Sequence, residues 1–313
     1  MPDIKIKKKH QLTGHNSGIY DLVAGPTKGT FLSAAGDGWV AEWSVEEPEN
    51  GKLLAQVDTQ VFSMLYLKDT HSFVLGDMNG GVHWLNLDDP DTNKHIAHHK
   101  KGTYGLFLAE DILISLGGAG MITRWDIREQ RSIESFQLSN VALRSGQYLA
   151  SSKEIVVGSS DHTIYLLKAD DLSIKTQRNE AHNNSVFCLR QHPNRPGILL
   201  SGGRDAHLKA WDLFDLVEPL SSQPAHWFTI NDLIFSPDGK YLLTASRDKT
   251  IRIWHAHNYQ LIMTLDTIRD GGHVNSVNSL LWVPDTPYFV SASDDRSLIL
   301  WEFMGYSPPS QDL

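Results

Sequence analysis

Six tryptophans punctuate this chain at nearly even intervals, and that period limits the possible folds more than any other feature. Trp43, Trp84, Trp125, Trp211, Trp254 and Trp301 each close a short β-like run, at steps of 41, 41, 86, 43 and 47 residues. The step of 86 is a doubled one, and its missing mark falls at Leu167 in the run 163–167. A period of this length means one supersecondary unit repeated, each copy burying a face that it cannot bury alone. The spacing gives seven units.

Each unit reads as strands. In the sixth, apolar runs at 230–235, 241–246, 251–254 and 261–265 are separated by turn residues such as Ser236-Pro237-Asp238-Gly239. Short apolar runs broken at these intervals mark an antiparallel meander. No segment sustains a 3.6-residue apolar period long enough to predict a long helix.

Polar residues share the period. An Asp recurs six residues before the tryptophan position, a Ser or Thr ten before it, and a His 26 to 29 before it. Four units carry the full set: His15, Ser33, Asp37, Trp43; His182, Ser201, Asp205, Trp211; His226, Thr244, Asp248, Trp254; and His273, Ser291, Asp295, Trp301. Three units depart from it. Unit two has Asp77 one place off and no His, unit three has Ala119 where the Asp belongs, and unit four keeps Asp161 but has Gln137 and Leu167 for the His and Trp. These three are expected to lean more on apolar packing.

The pairs Gly14-His15, Ala181-His182, Ala225-His226 and Gly272-His273, the turn at 236–239, and the endings Trp125-Asp126 and Trp211-Asp212 together resemble the WD40 repeat family over nearly the whole chain. The resemblance implies an all-β, seven-bladed WD40 β-propeller with four antiparallel strands per blade. It implies one propeller domain over 1–303 and a short irregular tail over 304–313. The last unit offers only three strands, so the run from Ile4 to Leu12 is expected to supply the fourth and to close the last blade. The resemblance also implies that each His-Ser-Asp-Trp set is a buried hydrogen-bond chain. A hydrolase triad occurs once per chain, whereas this set occurs four times in fixed register, so no catalytic residue is assigned.

Composition narrows the function. Lys plus Arg total 28 against 37 Asp plus Glu, a net charge of -9, so the chain lacks the basic footprint of a direct nucleic-acid binder. The one basic run, Lys5 to Lys9, reads as a solvated strand face. No stretch approaches the roughly 20 apolar residues of a membrane helix, no secretory h-region follows the charged start, and Cys188 stands alone. A cytoplasmic location is the expectation. His95, His98 and His99 form a small cluster without a companion Cys, and His99 already has the tetrad register, so the loop is read as solvated and no metal is assigned. The Gly-rich stretch 117–120 precedes a strand rather than a helix, and no nucleotide or cofactor motif is found.

In WD40 proteins a common contact face bears the start of the innermost strand and the turn before the repeat Asp. The first position is read here as Tyr20, Phe62, Tyr104, Ala142, Phe187, Asn231 and Asn278. The second is read as Gly36, Met78 or Asp77, Gly118, Ser160, Arg204, Arg247 and Asp294. Aromatic and Arg residues are the usual interface anchors. Tyr20, Phe62, Tyr104, Phe187, Arg204 and Arg247 are therefore predicted to form a partner-binding channel mouth suited to an acidic or phosphorylated side chain. On the plainer reading, Phe62 and Phe187 pack between blades and Arg204 is an ordinary turn residue. The function expected is a non-catalytic scaffold or adaptor that binds a peptide or partner protein, without direct nucleic-acid or membrane contact. The alternatives are an enzyme using the propeller as a platform, and a protein-held subunit of an RNA- or chromatin-associated complex.

Overall fold

The apolar runs and turn residues fold as seven four-stranded antiparallel sheets in the computed structural model, which describes residues 4–304. The architecture is a seven-bladed β-propeller. Blades one to six cover 19–56, 61–97, 103–137, 143–178, 186–224 and 230–265. Within each, the strands pair in chain order, as a meander does. The only α-helix among the described residues is the four-residue turn Thr267–Asp270, capped by the Asp266 carboxylate. The tail expected over 304–313 lies outside the described residues beyond Met304.

Blade seven takes its first three strands from 277–304 and its fourth from Lys5–Thr13, which pairs antiparallel with Ser297–Met304. Lys5 lies opposite Met304 and Thr13 opposite Ser297. A register shift between Lys8 and His10 breaks the alternation of faces. Lys5, Lys7 and Lys9 are exposed, while Ile4 and Ile6 rest on the core of blades six and seven. The basic run is a solvated strand face, as its composition suggested.

The chain divides into two compact units. One holds the described residues up to Asp58 together with those from Asp232 onward, and the other holds Thr59–Asn231. In the first, blades seven and one bury Val290, Leu298, Ile19, Phe31 and Trp43 against each other. In the second, Trp84 of blade two meets Leu113 and Trp125 of blade three, and Leu116 and Ile122 meet Ile155 and Val157 of blade four. Burying each such side chain stabilises by roughly 1.5–3 kcal/mol. This facing-sheet contact is what a lone four-stranded sheet lacks.

Candidate functional site

Hydrogen bonds join Trp, Ser, His and Asp in the tetrads of blades one, five and seven. In blade five the Trp211 indole N–H donates to Ser201 Oγ at 2.8 Å, Ser201 Oγ meets His182 Nε2 at 2.7 Å, and His182 Nδ1 meets Asp205 at 2.9 Å. Blades one and seven repeat it, with Trp–Ser distances of 2.9 Å in both. Blade six keeps the Trp254 to Thr244 bond at 2.9 Å. An indole can only donate, so Ser donates onward to His Nε2 and the neutral imidazole donates from Nδ1 to Asp. Burial pushes the His182 and His15 pKa values down against the pull of their Asp partners, which keeps the rings neutral. Burial also opposes the charge of Asp205, but His182 and the backbone N–H groups of Asn183 and His207 outweigh it and hold the carboxyl at about 2.

The departing units show what an incomplete chain does. In blade three His99 meets Ser115 Oγ at 2.7 Å, but with Ala119 in place of Asp its Nδ1 is buried without a partner among the described residues. Burial, reinforced by His98, drives its pKa to about 3. In blade four the residue facing Asp161 is Ser139, at 2.6 Å, joined by Tyr165 at 2.7 Å. Ser139, not Gln137, holds the His position, because the chain separation of 22 matches that of His15 and Asp37.

A β-bulge marks the innermost-strand position at which partner contacts are expected. In six inner strands the register shifts across one residue: Tyr20, Phe62, Tyr104, Arg144, Phe187 and Asn278. A bulge re-aims the extra side chain out of the regular ladder. The turn before the repeat Asp is tied to the same place by a backbone bond to the residue two before the bulge. Examples are Gly36 N–H to Gly18 O at 2.9 Å, Ser160 to Ala142 at 2.8 Å and Arg204 to Ser185 at 2.9 Å. Met78 bonds to Gln60 in the same way, so Met78 rather than Asp77 occupies the turn position of blade two. The pattern also corrects blade four. Ala142 is the bonded residue and Arg144 the bulged one, since the strand begins at Leu143 rather than at the apolar pair before it.

With that correction, four bulged residues of the Thr59–Asn231 unit form a row. The Phe62 and Tyr104 rings stack at 5.4 Å, and the Arg144 guanidinium lies 4.5 Å from the Tyr104 ring centroid and 5.1 Å from that of Phe187. Arg144 Nε donates to Ser160 Oγ at 3.0 Å. No carboxylate pairs with it among the described residues. Burial works against its charge, Tyr104 supports it, and the nearby Arg204 opposes it. Arg204 itself is exposed. The cation is thus half-buried on aromatic faces, with a second cation beside it and its own charge uncompensated.

Tyr20 and Arg247 belong to the other unit. Tyr20 rests against Gly18 and Gly36, close enough to Asp294 for its carboxylate to help burial raise the phenol pKa, and Arg247 is exposed on its turn. Of the three histidines near 95–99, His98 and His99 meet edge to face at 4.9 Å and His95 is turned to His83. His98 bonds Thr123 at 2.8 Å, His99 belongs to its tetrad, and His95 stacks on His83 at 4.4 Å. Two further rings escaped the sequence reading. Trp227 and Phe228 follow tetrad residue His226 and are 82% and 59% exposed. No helix among the described residues is long and apolar enough to cross a membrane.

Comparison with known proteins agrees with the propeller fold. The WD domain, G-beta repeat profile matches residues 6–44, 174–212, 217–255 and 260–302, about half of the chain. The unmatched stretch covers the three units that depart from the tetrad. Protein tipD of Dictyostelium discoideum is 25% identical over 85% of this chain and 44% of its own length. The U3 small nucleolar RNA-associated protein 15 homolog of Xenopus tropicalis is 27% identical over 55% of this chain and 33% of its own. The human serine-threonine kinase receptor-associated protein is 25% identical over 77% of this chain and 67% of its own. The chain spans less than half the length of the first two of these relatives. The crystal structure of the WD40 β-propeller domain of Doa1 covers 96% of this chain and 97% of its own, with a TM-score of 0.82 at 18% identity, which shows the fold alone.

Proposed function

Because this chain belongs to the WD40 repeat family, whose propellers are in general protein-interaction scaffolds, we propose that it is a non-catalytic scaffold that takes an acidic or phosphorylated peptide along the row Phe62, Tyr104, Arg144 and Phe187. The observation that carries this reading is Arg144, a half-buried guanidinium floored by two rings with no carboxylate pairing with it among the described residues. Anionic oxygens complete such a site by charge-assisted hydrogen bonds, which are strongest in partly desolvated settings. Arg204 adds a second positive charge, and the exposed Trp227 is a residue type that dominates interface energetics. The reading places the protein in the cytoplasm, which its single buried Cys188 suits. One relative is named for association with an RNA. If this chain serves in such an assembly, its net charge of -9 favours attachment through protein contacts.

The test is calorimetric titration of matched peptides in neutral, acidic and phosphorylated forms. The wild type is expected to prefer the anionic forms, and Arg144→Gln to weaken their binding at least tenfold, about 1.4 kcal/mol. Equal binding of neutral and anionic peptides, or an Arg144→Gln variant that binds like wild type, contradicts the proposal.

A further inference from the structure

We propose that blade two carries a binding site for a divalent transition-metal cation of the zinc type, held by Asp77, His83 and His95. One ligand atom from each of the three lies within 4.8 Å of the others. His83 Nε2 is 2.8 Å and His95 Nε2 3.8 Å from the same oxygen, Asp77 Oδ2. Zinc bonds of roughly 2.0–2.1 Å in a tetrahedron separate ligand atoms by about 3.3 Å. The two distances bracket that value, so small side-chain rotations suffice to admit the ion.

The fold builds this arrangement. Asp77 Oδ1 accepts from the backbone N–H groups of Asn79 and Gly81, both at 2.8 Å, which fixes the carboxylate and aims Oδ2 at the imidazoles. His83 and His95 sit directly opposite each other on the third and fourth strands, so strand register alone brings the rings together. Outer partners of this kind orient a ligand before any ion arrives. Asp77 and His83 are 3% and 12% exposed at the side chain and His95 is 54% exposed, which leaves one side open for entry and for a fourth ligand from solvent. Two nitrogens and one carboxylate oxygen suit zinc or its first-row neighbours rather than calcium or magnesium.

Two further observations set the cluster apart from an ordinary ion pair. A Cβ at Gly81 would intrude on both Asp77 Oδ2 and His95 Nε2, so the absent side chain keeps the space between the ligands open. The left-handed turn residue is Gly80, at φ 93°, so backbone conformation does not account for the glycine at 81. The cluster also does not replace a tetrad. The buried Trp84 indole N–H has no partner among the described residues, and Val74 stands where the tetrad blades place a Ser or Thr. The Asp77–His83 pair is therefore not wired into the blade's tryptophan.

The experiment strips the full chain with chelator, then titrates Zn2+ by calorimetry and Co2+ by visible absorption. One equivalent is expected to bind with micromolar or tighter affinity, with the strong visible bands of a four-coordinate cobalt site. His95→Ala, at an exposed position, is expected to weaken binding at least tenfold. Gly81→Ala keeps all three ligands but fills the space, and is expected to do the same in a chain whose circular dichroism stays native. His98→Ala, in a separate network, should bind like wild type. Absence of uptake by the wild type, or undiminished uptake by both His95→Ala and Gly81→Ala, overturns the proposal.

Discussion

Asp205 takes three hydrogen bonds with one carboxylate, from His182, Asn183 and His207, and each donor is left without its acceptor if the side chain is removed. An unsatisfied buried group costs more than the net worth of the bond it lost, so Asp205→Ala should destabilise by about 1.5–3 kcal/mol. Calorimetric melting checks this, and an unchanged melting temperature refutes it. His99 presents the converse case, a native vacancy. Its Nδ1 lacks an acceptor among the described residues because residue 119 is Ala, and burial, reinforced by His98, pulls its pKa to about 3. Ala119→Asp should supply the acceptor, stabilise by about 1 kcal/mol and raise the His99 pKa. Imidazole titration by NMR together with the melting temperature reads both effects, and a pKa that stays near 3 sinks the idea.

At the scale of the strand, a bulge opens six of the inner strands. It turns Phe62, Tyr104, Arg144 and Phe187 out of the ladder and into a row. Arg144→Ala should leave the fold intact, since it removes no ladder bond, while loosening the Tyr104 and Phe187 rings. Hydrogen exchange at the 142–146 amides against tyrosine fluorescence would distinguish local loosening from global unfolding. Much of this was legible in the sequence. The Trp period is legible because each indole fills the same buried place in its blade, and the alternating runs give the strands. The blade-four register was not legible, because Val141 and Ala142 look like a strand start and conceal Leu143. Counting 17 residues back from Asp161, the spacing of Tyr20 to Asp37, would have found Arg144. The meeting of His83 with His95 was also hidden, because cross-strand partners depend on the length of the turn between them. Trp227 escaped for a simpler reason, since hydrophobic character alone does not say which apolar side chains stay exposed.

For the molecule as a whole, the same titrating groups set its response to acid. His15, His99 and His182 have folded pKa values below the ordinary 6.5, so the unfolded chain takes up protons first as pH falls. Stability is thus complete above 6.5 and declines below it. Asp205 and Asp295 are held below the ordinary 3.8, so their share is present above that value and is lost as pH drops through the folded pKa, about 2 for Asp205. The melting temperature should therefore fall steadily from pH 7 to pH 4, before the carboxylates begin to matter, and a flat profile over that range contradicts the assignment. Lys5 opposite Met304 also has a bearing on synthesis. A ribosome releases the 5–13 segment long before its partner at 297–304 exists, and a contact spanning nearly the entire chain is among the slowest to form. Blade seven can be completed only once translation has passed the last strand, and until then the nascent segment waits unpaired, with the lysines that later face solvent keeping it from pairing with other chains.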